Sequence, residues 1–470
     1  MIRLSVMVKV CRGLLLGSCL ILLCCSGSRR TAVTRTVSET EFRAALASGA
    51  GTIELPRGVL LIHSALEIPD RANDLEIRGH PNGSTLRASD DFRGRAVLVA
   101  RATSGLRLTG FEIDGNRDRL ASPIYLPPSD VSFARYYSNN GILLEGVRKA
   151  AVRRIQFTRI ANFSLLVSAS SEVAIEDVKI EDCGSLNSSG RNNTSGGILI
   201  EEGTSSFVVR RSLIRRVRGN AIWTHSNYHS PRNSGGTIAD NEVYDVARDA
   251  IQVGHATNVK VTGNRGARIG YPVNEVDRET DAIPVAIDTA GDVDRSAYLS
   301  NRFQDVNGQC IDLDGFHHGE VRRNSCVNRK PLEEYPYAHA GIVFGNSNLD
   351  MHSTAVVVAE NEIVGTGYNG VVVIGFGHQI VRNRLLDLNR AHCTGDPARP
   401  RCNYAADQPG LLRSGIYLAR GAPRPERAED NLIEGNRITG FGMRDWCIEA
   451  APGVSLSKNQ IRNNRCTGER

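Results

Sequence analysis

An asparagine followed two positions later by an apolar residue, and preceded by an apolar run, returns along the second half of this 470-residue chain. It stands at Asn241-Glu-Val, Asn301-Arg-Phe, Asn361-Glu-Ile, Asn383-Arg-Leu, Asn436-Arg-Ile and Asn459-Gln-Ile, with Asn264 and Asn324 in the same place before less regular residues. Successive intervals are 23, 37, 23, 37, 22, 53 and 23 residues. About 23 residues of short strands and tight bends make one coil of a β-solenoid, in which each coil buries its apolar side only against its neighbours. The longer intervals are then one coil plus an insertion or an extra irregular rung. Asparagine at one bend of every coil would let the side-chain amides stack and bond the turn backbone.

A second motif, Gly/Ala/Cys-Ile-x-apolar, marks another strand of each coil. It reads "GILLE" at 141–145, "GILIE" at 197–201, "AIWTH" at 221–225, "AIQVG" at 250–254, "AIDTA" at 286–290, "CIDLD" at 310–314, "GIVFG" at 341–345, "GVVVI" at 370–374, "SGIYLA" at 414–419 and "CIEAA" at 447–451. These segments are too short and too evenly spaced for strand–helix–strand crossovers. They predict an all-β chain, a right-handed parallel β-helix with loops inserted along one edge. Ahead of it, "SETEFRAALAS" (38–48) carries Ser38 and Glu41 at the spacing of a capping box, with Phe42, Ala45 and Leu46 on one face. A short helix there would cover the open first coil, where an exposed sheet edge invites aggregation. The expected organisation is a leader over 1–28, a linker over 29–37 and one β-helix domain over 38–470, acting as a monomer.

The leader is expected because Arg3, Lys9 and Arg12 precede the apolar run "GLLLGSCLILLCCSGS", the order of a secretory signal. "LGSC" and "LLCC" make Cys19, Cys24 and Cys25 candidate lipidation sites. Export to a secreted, periplasmic or cell-envelope location follows, with any membrane attachment through a lipid anchor. Seven further cysteines, at 183, 310, 326, 393, 402, 447 and 466, would then meet an oxidising environment. Cys393–Cys402, Cys310–Cys326 and Cys447–Cys466 are similarly placed pairs, and no zinc-type Cys-x-x-Cys spacing occurs. The net charge of +6 comes from arginines scattered without a basic tract, which argues against a nucleic-acid partner.

The segment running from "F-x-x-AL" through "GTIELPRG", the coil repeats, and "FEIDGNRDR" at 111–119 resemble secreted right-handed β-helix proteins of the pectate lyase-like superfamily. That group includes polygalacturonases, pectate lyases and alginate epimerases. The resemblance spans the mature chain and implies a polysaccharide partner, neutral or anionic. It does not carry a catalytic set across. Around Cys310 and Ile311, "GQCIDLDG" places Gly308 and Gln309 where polygalacturonases have paired acids, and "FHHG" replaces their Gly-His-Gly. After "IDGNRDR", the later strand "FSLLVSAS" lacks the Asp-Pro-His of alginate epimerases.

Most insertions (117–140, 181–196, 266–283, 327–339 and 386–413) precede a Gly-Ile strand and would build a wall beside it. Loops aligned by a rigid scaffold carry function. Down the outward positions of that strand, one column runs Leu143, Leu166, Leu199, Trp223, Gln252, Asp288, Asp312, Val343, Val372, Tyr417 and Glu449. The next runs Glu145, Ser168, Glu201, His225, Gly254, Ala290, Asp314, Gly345, Ile374 and Ala419. Stacked strands lie about 4.8 Å apart and alternate residues about 7 Å apart, so Asp288, Asp312 and Asp314 should meet. Crowded carboxylates raise one another's pKa toward values useful to an acid, and such separations suit glycosidic-bond chemistry.

The candidate catalytic residues are therefore Asp288, Asp312, Asp314, His255 and His317. The candidate substrate-binding residues are Trp223, His225, Gln252, His318, Arg322 and Tyr417. Hydrolysis would need no cofactor; elimination from a uronate would need Arg322 or Ca2+ to neutralise the sugar carboxylate. Epimerisation is a further option on the same face. The competing expectation is a non-catalytic adhesin or glycan-binding surface protein, because outward aspartates are also ordinary solvated surface.

Overall fold

Apolar residues alternating in runs of three to six, separated by left-handed bends, leave each strand able to bury one side only. Stacking resolves this. In the computed structural model, which describes residues 38–49, 51–122, 125–186, 195–276, 283–347, 351–403, 408–421 and 426–468, every strand pairing among the described residues is parallel. Fourteen short strands, from Thr52–Glu54 to Gln460–Arg462, form one sheet, and the remaining strands form a second that wraps the other sides of the coil. The inward residues make one continuous core, from Phe42 and Leu46 at the start to Ile438 and Ala451 near the end. This is the right-handed parallel β-helix. The leader and linker expected over 1–37 lie outside the described residues.

The helix Glu39–Leu46 closes the first coil, with Phe42 and Leu46 buried. Its capping box is formed: the Glu41 N–H donates to Ser38 Oγ at 3.2 Å, and the Ser38 N–H donates to Glu41 Oε2 at 2.9 Å. The asparagine stack is also present. Asn241, Asn264, Asn301, Asn324, Asn361, Asn383 and Asn436 each donate backbone and side-chain N–H groups to the Oδ1 of the next member, at 2.8–3.0 Å. Its last member is Asn464, not Asn459 as expected. Asn459 instead accepts from Asn431 at a different bend, ahead of the strand Gln460–Arg462. Both bends need an amide to satisfy buried turn N–H groups, so the local pattern is the same at each.

Disulfides join Cys393 to Cys402 and Cys447 to Cys466. Cys310 and Cys326 are instead buried free thiols, as is Cys183. Each of the first two lies on a core-facing strand position, so the pair contributes packing rather than a cross-link.

Candidate functional site

The register of the Gly-Ile strands is the one the outward column requires. Leu143, Leu166, Leu199, Trp223, Gln252 and Asp288 pair in succession. Ile287 pairs with Ile311, which sets Asp288 level with Asp312, and Asp312, Val343, Val372, Tyr417 and Glu449 follow. What alternation could not show is which outward residues are covered. The inserted segment 117–140 folds its short helix Phe133–Tyr136 onto the early rungs. Phe133 and Tyr137 pack with Phe163 and Trp223 over Leu143, Leu166 and Leu199. Glu201 holds that helix down, accepting from the N–H groups of Phe133 and Ala134 at 2.9 and 2.8 Å. Burial pushes its carboxyl up to about 7 against those two bonds.

A second cover lies over the late rungs. The loop stapled by Cys393–Cys402 and the helix Pro409–Arg413 pack beside Tyr368, and Gly410 sits against the Tyr417 ring. Arg413 clamps Glu449 at 2.7 and 3.0 Å. Tyr417 is consequently 1% exposed and offers no face to a ligand, contrary to expectation. An outward position is not an exposed one once an insertion folds over it.

Between the covers a cleft of about 420 Å³ opens, lined among others by Trp223, His225, Tyr228, Arg248, Gln252, His255, Asp314 and Ser347. Asp288 and Asp312 stand on the two rungs that follow Gln252, next to that lining. A chain of polar contacts runs from rung to rung. Asn220 Nδ2 donates to Gln252 Oε1 at 2.5 Å, and Gln252 Nε2 donates to Asp288 Oδ2 at 2.6 Å. Asp249 is buried beside them, accepting from the Val285 N–H at 2.8 Å, with Arg248 Nε 3.4 Å from its other oxygen. Burial first, then the neighbouring Asp249 carboxylate, drives the Asp288 pKa well above the usual carboxylate range. Asp312 is raised in the same way, by burial and then by Asp288. Burial also raises Asp314, opposed by the Ser347 hydroxyl and N–H that both donate to it, the latter at 2.8 Å. Strand alternation found Asp288, Asp312 and Asp314 but missed Arg248 and Asp249. Their signal was available: Asp249 stands in the frame of Asn220, whose Oδ1 accepts its N–H at 3.2 Å.

The histidines divide. His255 projects into the cleft from a bulge where its φ is +43°, edge-on to His225 and Tyr228 at 5.7 and 4.8 Å. Burial lowers His225 to about 3, so it is neutral above that pH and can bind but not protonate. His317 and His318 do not join the carboxylates of the cleft as expected. They lie past its end, against Asp292 and Asp294. Arg322 is absent too: it belongs to a strand of the opposite sheet and donates to Glu320 at 2.5 Å. Among the described residues, the His, Cys, Asp and Glu side chains that come close enough in threes to share an ion are Asp294, His317 and His318, and the cleft aspartates are not among them.

Fold and site together define a right-handed β-helix protein with a desolvated carboxylate cluster in a surface cleft. A family model described as "Right handed beta helix region" matches residues 98–276. No curated protein is significantly similar in sequence. Among solved structures, the chain is similar in fold to PfbA, a surface adhesin of Streptococcus pneumoniae, at 13% identity and a TM-score of 0.53, covering 76% of this chain and 90% of that one. It is likewise similar to a hyperthermoactive exopolygalacturonase from Thermotoga maritima at 11% identity and 0.52, covering 74% and 87%. A DFA-IIIase from Arthrobacter chlorophenolicus A6, without its lid and in complex with GF2, gives 12% and 0.51, covering 93% and 97%.

Proposed function

We propose that the protein is a secreted, carbohydrate-active enzyme that hydrolyses glycosidic bonds of a polysaccharide in this cleft. The observation that carries the reading is the stack of buried Asp249 and Asp288 with half-buried Asp312, carboxylates sharing a field beside an open cleft. Strongly raised carboxylates cluster where an acid is needed near neutral pH. In this reading Asp312 is the general acid, kept protonated by Asp288, which Gln252 positions. Asp314, gripped by Ser347, is the general base. Alternate residues about 7 Å apart leave room for a water, the geometry of inversion. The exposed ring of Tyr228 and the edge of Trp223 offer apolar faces to a sugar. The two disulfides and the apolar leader support export.

The test is a panel of neutral and acidic glycans, followed both by reducing ends and by the absorbance of unsaturated uronates. Reducing ends without absorbance are expected. Asp312→Asn and Asp314→Asn should each lose about 10²–10⁴-fold in turnover with unchanged folding. Absorbance would mean elimination and overturn the hydrolytic assignment. Saturable glycan binding with no product, unchanged in Asp312→Asn, would identify a binding protein of the adhesin kind instead.

A further inference from the structure

Past the end of the cleft, three side chains converge that the hydrolytic reading does not use. Asp294 ends the strand Val285–Asp294, and its cross-strand partner is His317, at the end of Phe316–His317. His318 follows at the bend, where φ is +50°. Its Nδ1 lies 3.0 Å from Asp294 Oδ1, and His317 Nε2 lies 3.5 Å from the same oxygen. One atom from each residue lies within 4.8 Å of both others. Ligand atoms on a tetrahedral ion with bonds of about 2.0–2.1 Å stand about 3.3 Å apart, and the two measured separations bracket that spacing.

The surroundings prepare the ligands. His317 Nδ1 faces the Gly315 carbonyl at 3.1 Å and Asp292 Oδ1 at 3.3 Å. With its proton on Nδ1, donated to the Gly315 carbonyl, the ring would present the Nε2 lone pair on the Asp294 side, where an ion could take it. A histidine that donates its other ring N–H to a carbonyl or carboxylate is the usual support of a metal ligand. Arg295 Nη2 holds Asp294 Oδ2 at 2.8 Å, leaving Oδ1 as the ligating oxygen. Arg232 binds Asp292 through its carboxylate and, at 2.7 Å, its carbonyl.

We propose that Asp294, His317 and His318 form a site for a divalent transition ion of the zinc class, with the fourth position open to solvent beside exposed His318. Two imidazoles and one carboxylate favour such an ion over calcium, which takes six or more oxygens. Gly291 lines the cleft, and Asp294 lies three residue steps along the strand from it, about 10 Å. The site is thus distinct from the carboxylate cluster and does not rest on the proposed hydrolysis.

The experiment is titration of the full chain, first dialysed against a chelator, with Zn2+ in a calorimeter, and with Co2+ followed by its visible d–d absorption. One equivalent of saturable Zn2+ binding and a Co2+ band are expected. His318→Ala, at an exposed position with little bearing on folding, and Asp294→Asn should each abolish the band and weaken Zn2+ at least about 100-fold. Asp292→Asn should weaken it about 10–100-fold. No saturable binding by the wild-type chain, or equal binding by His318→Ala, would overturn the assignment and leave His318 a simple hydrogen-bond partner of Asp294.

Discussion

Replacing Asn324 by alanine removes the centre of the asparagine stack, and the cost can be worked from its contacts. Its Oδ1 accepts from the Asn301 N–H at 3.0 Å and from Asn301 Nδ2 at 2.8 Å. Its Nδ2 donates to the Tyr298 carbonyl at 2.8 Å and to Asn361 Oδ1 at 3.0 Å. Asn301 Nδ2 keeps its bond to the Val261 carbonyl, and Asn361 Oδ1 keeps the Asn324 N–H. The group left fully orphaned is the buried Asn301 N–H. An orphaned buried donor costs about 1–3 kcal/mol and each of the three other lost bonds about 1 kcal/mol, so Asn324→Ala should lose about 4–6 kcal/mol. Asn464 ends the same stack half-exposed, where water can replace the amide, so Asn464→Ala should cost no more than about 1 kcal/mol. Guanidinium titrations of both variants at matched slope measure the difference. Equal midpoint shifts, or a loss under about 1 kcal/mol for Asn324→Ala, would show that the stack follows from coil packing and does not stabilise it.

Glu201 makes stability depend on pH. Its folded pKa of about 7 lies above the usual 4.5, so its contribution is complete below pH 4.5 and is lost as pH rises through 7, by roughly 3 kcal/mol in all. Glu201→Gln should remove that slope from stability curves taken between pH 4.5 and 8, and parallel curves would refute the assignment. The Cys393–Cys402 bridge closes a loop of sequence separation 9, worth about 2–3 kcal/mol; the double serine variant should unfold earlier by that amount, and should admit solvent to Tyr417, read by quenching of its fluorescence.

Periodicity carried most of the fold. A strand in register repeats its frame, so once Ile311 was matched to Ile287 the level of Asp312 with Asp288 followed. Periodicity failed where two bends share one chemistry, as with Asn459 and Asn464. It could not see coverage either: Tyr417 and Gln252 occupy equivalent outward positions, yet one lies beneath the helix Pro409–Arg413 and the other lines the cleft. Spacing also misled at Cys310 and Cys326, whose placement matches that of the bonded Cys447 and Cys466 although their thiols remain free. His317 and His318 follow Asp314 closely in sequence, but the chain turns between them, and space assigns them to Asp294 instead.

The two covers also set a ruler. The rungs that carry Gln252, Asp288, Asp312 and Val343 lie between them, and four rungs span three spacings, about 14 Å. A stiff polymer laid parallel to the coil axis would meet an obstacle at either end within a few sugar lengths, whereas a chain terminus or a short oligomer could settle without bending. Shortening either insertion would lengthen the berth while leaving the rungs beneath untouched.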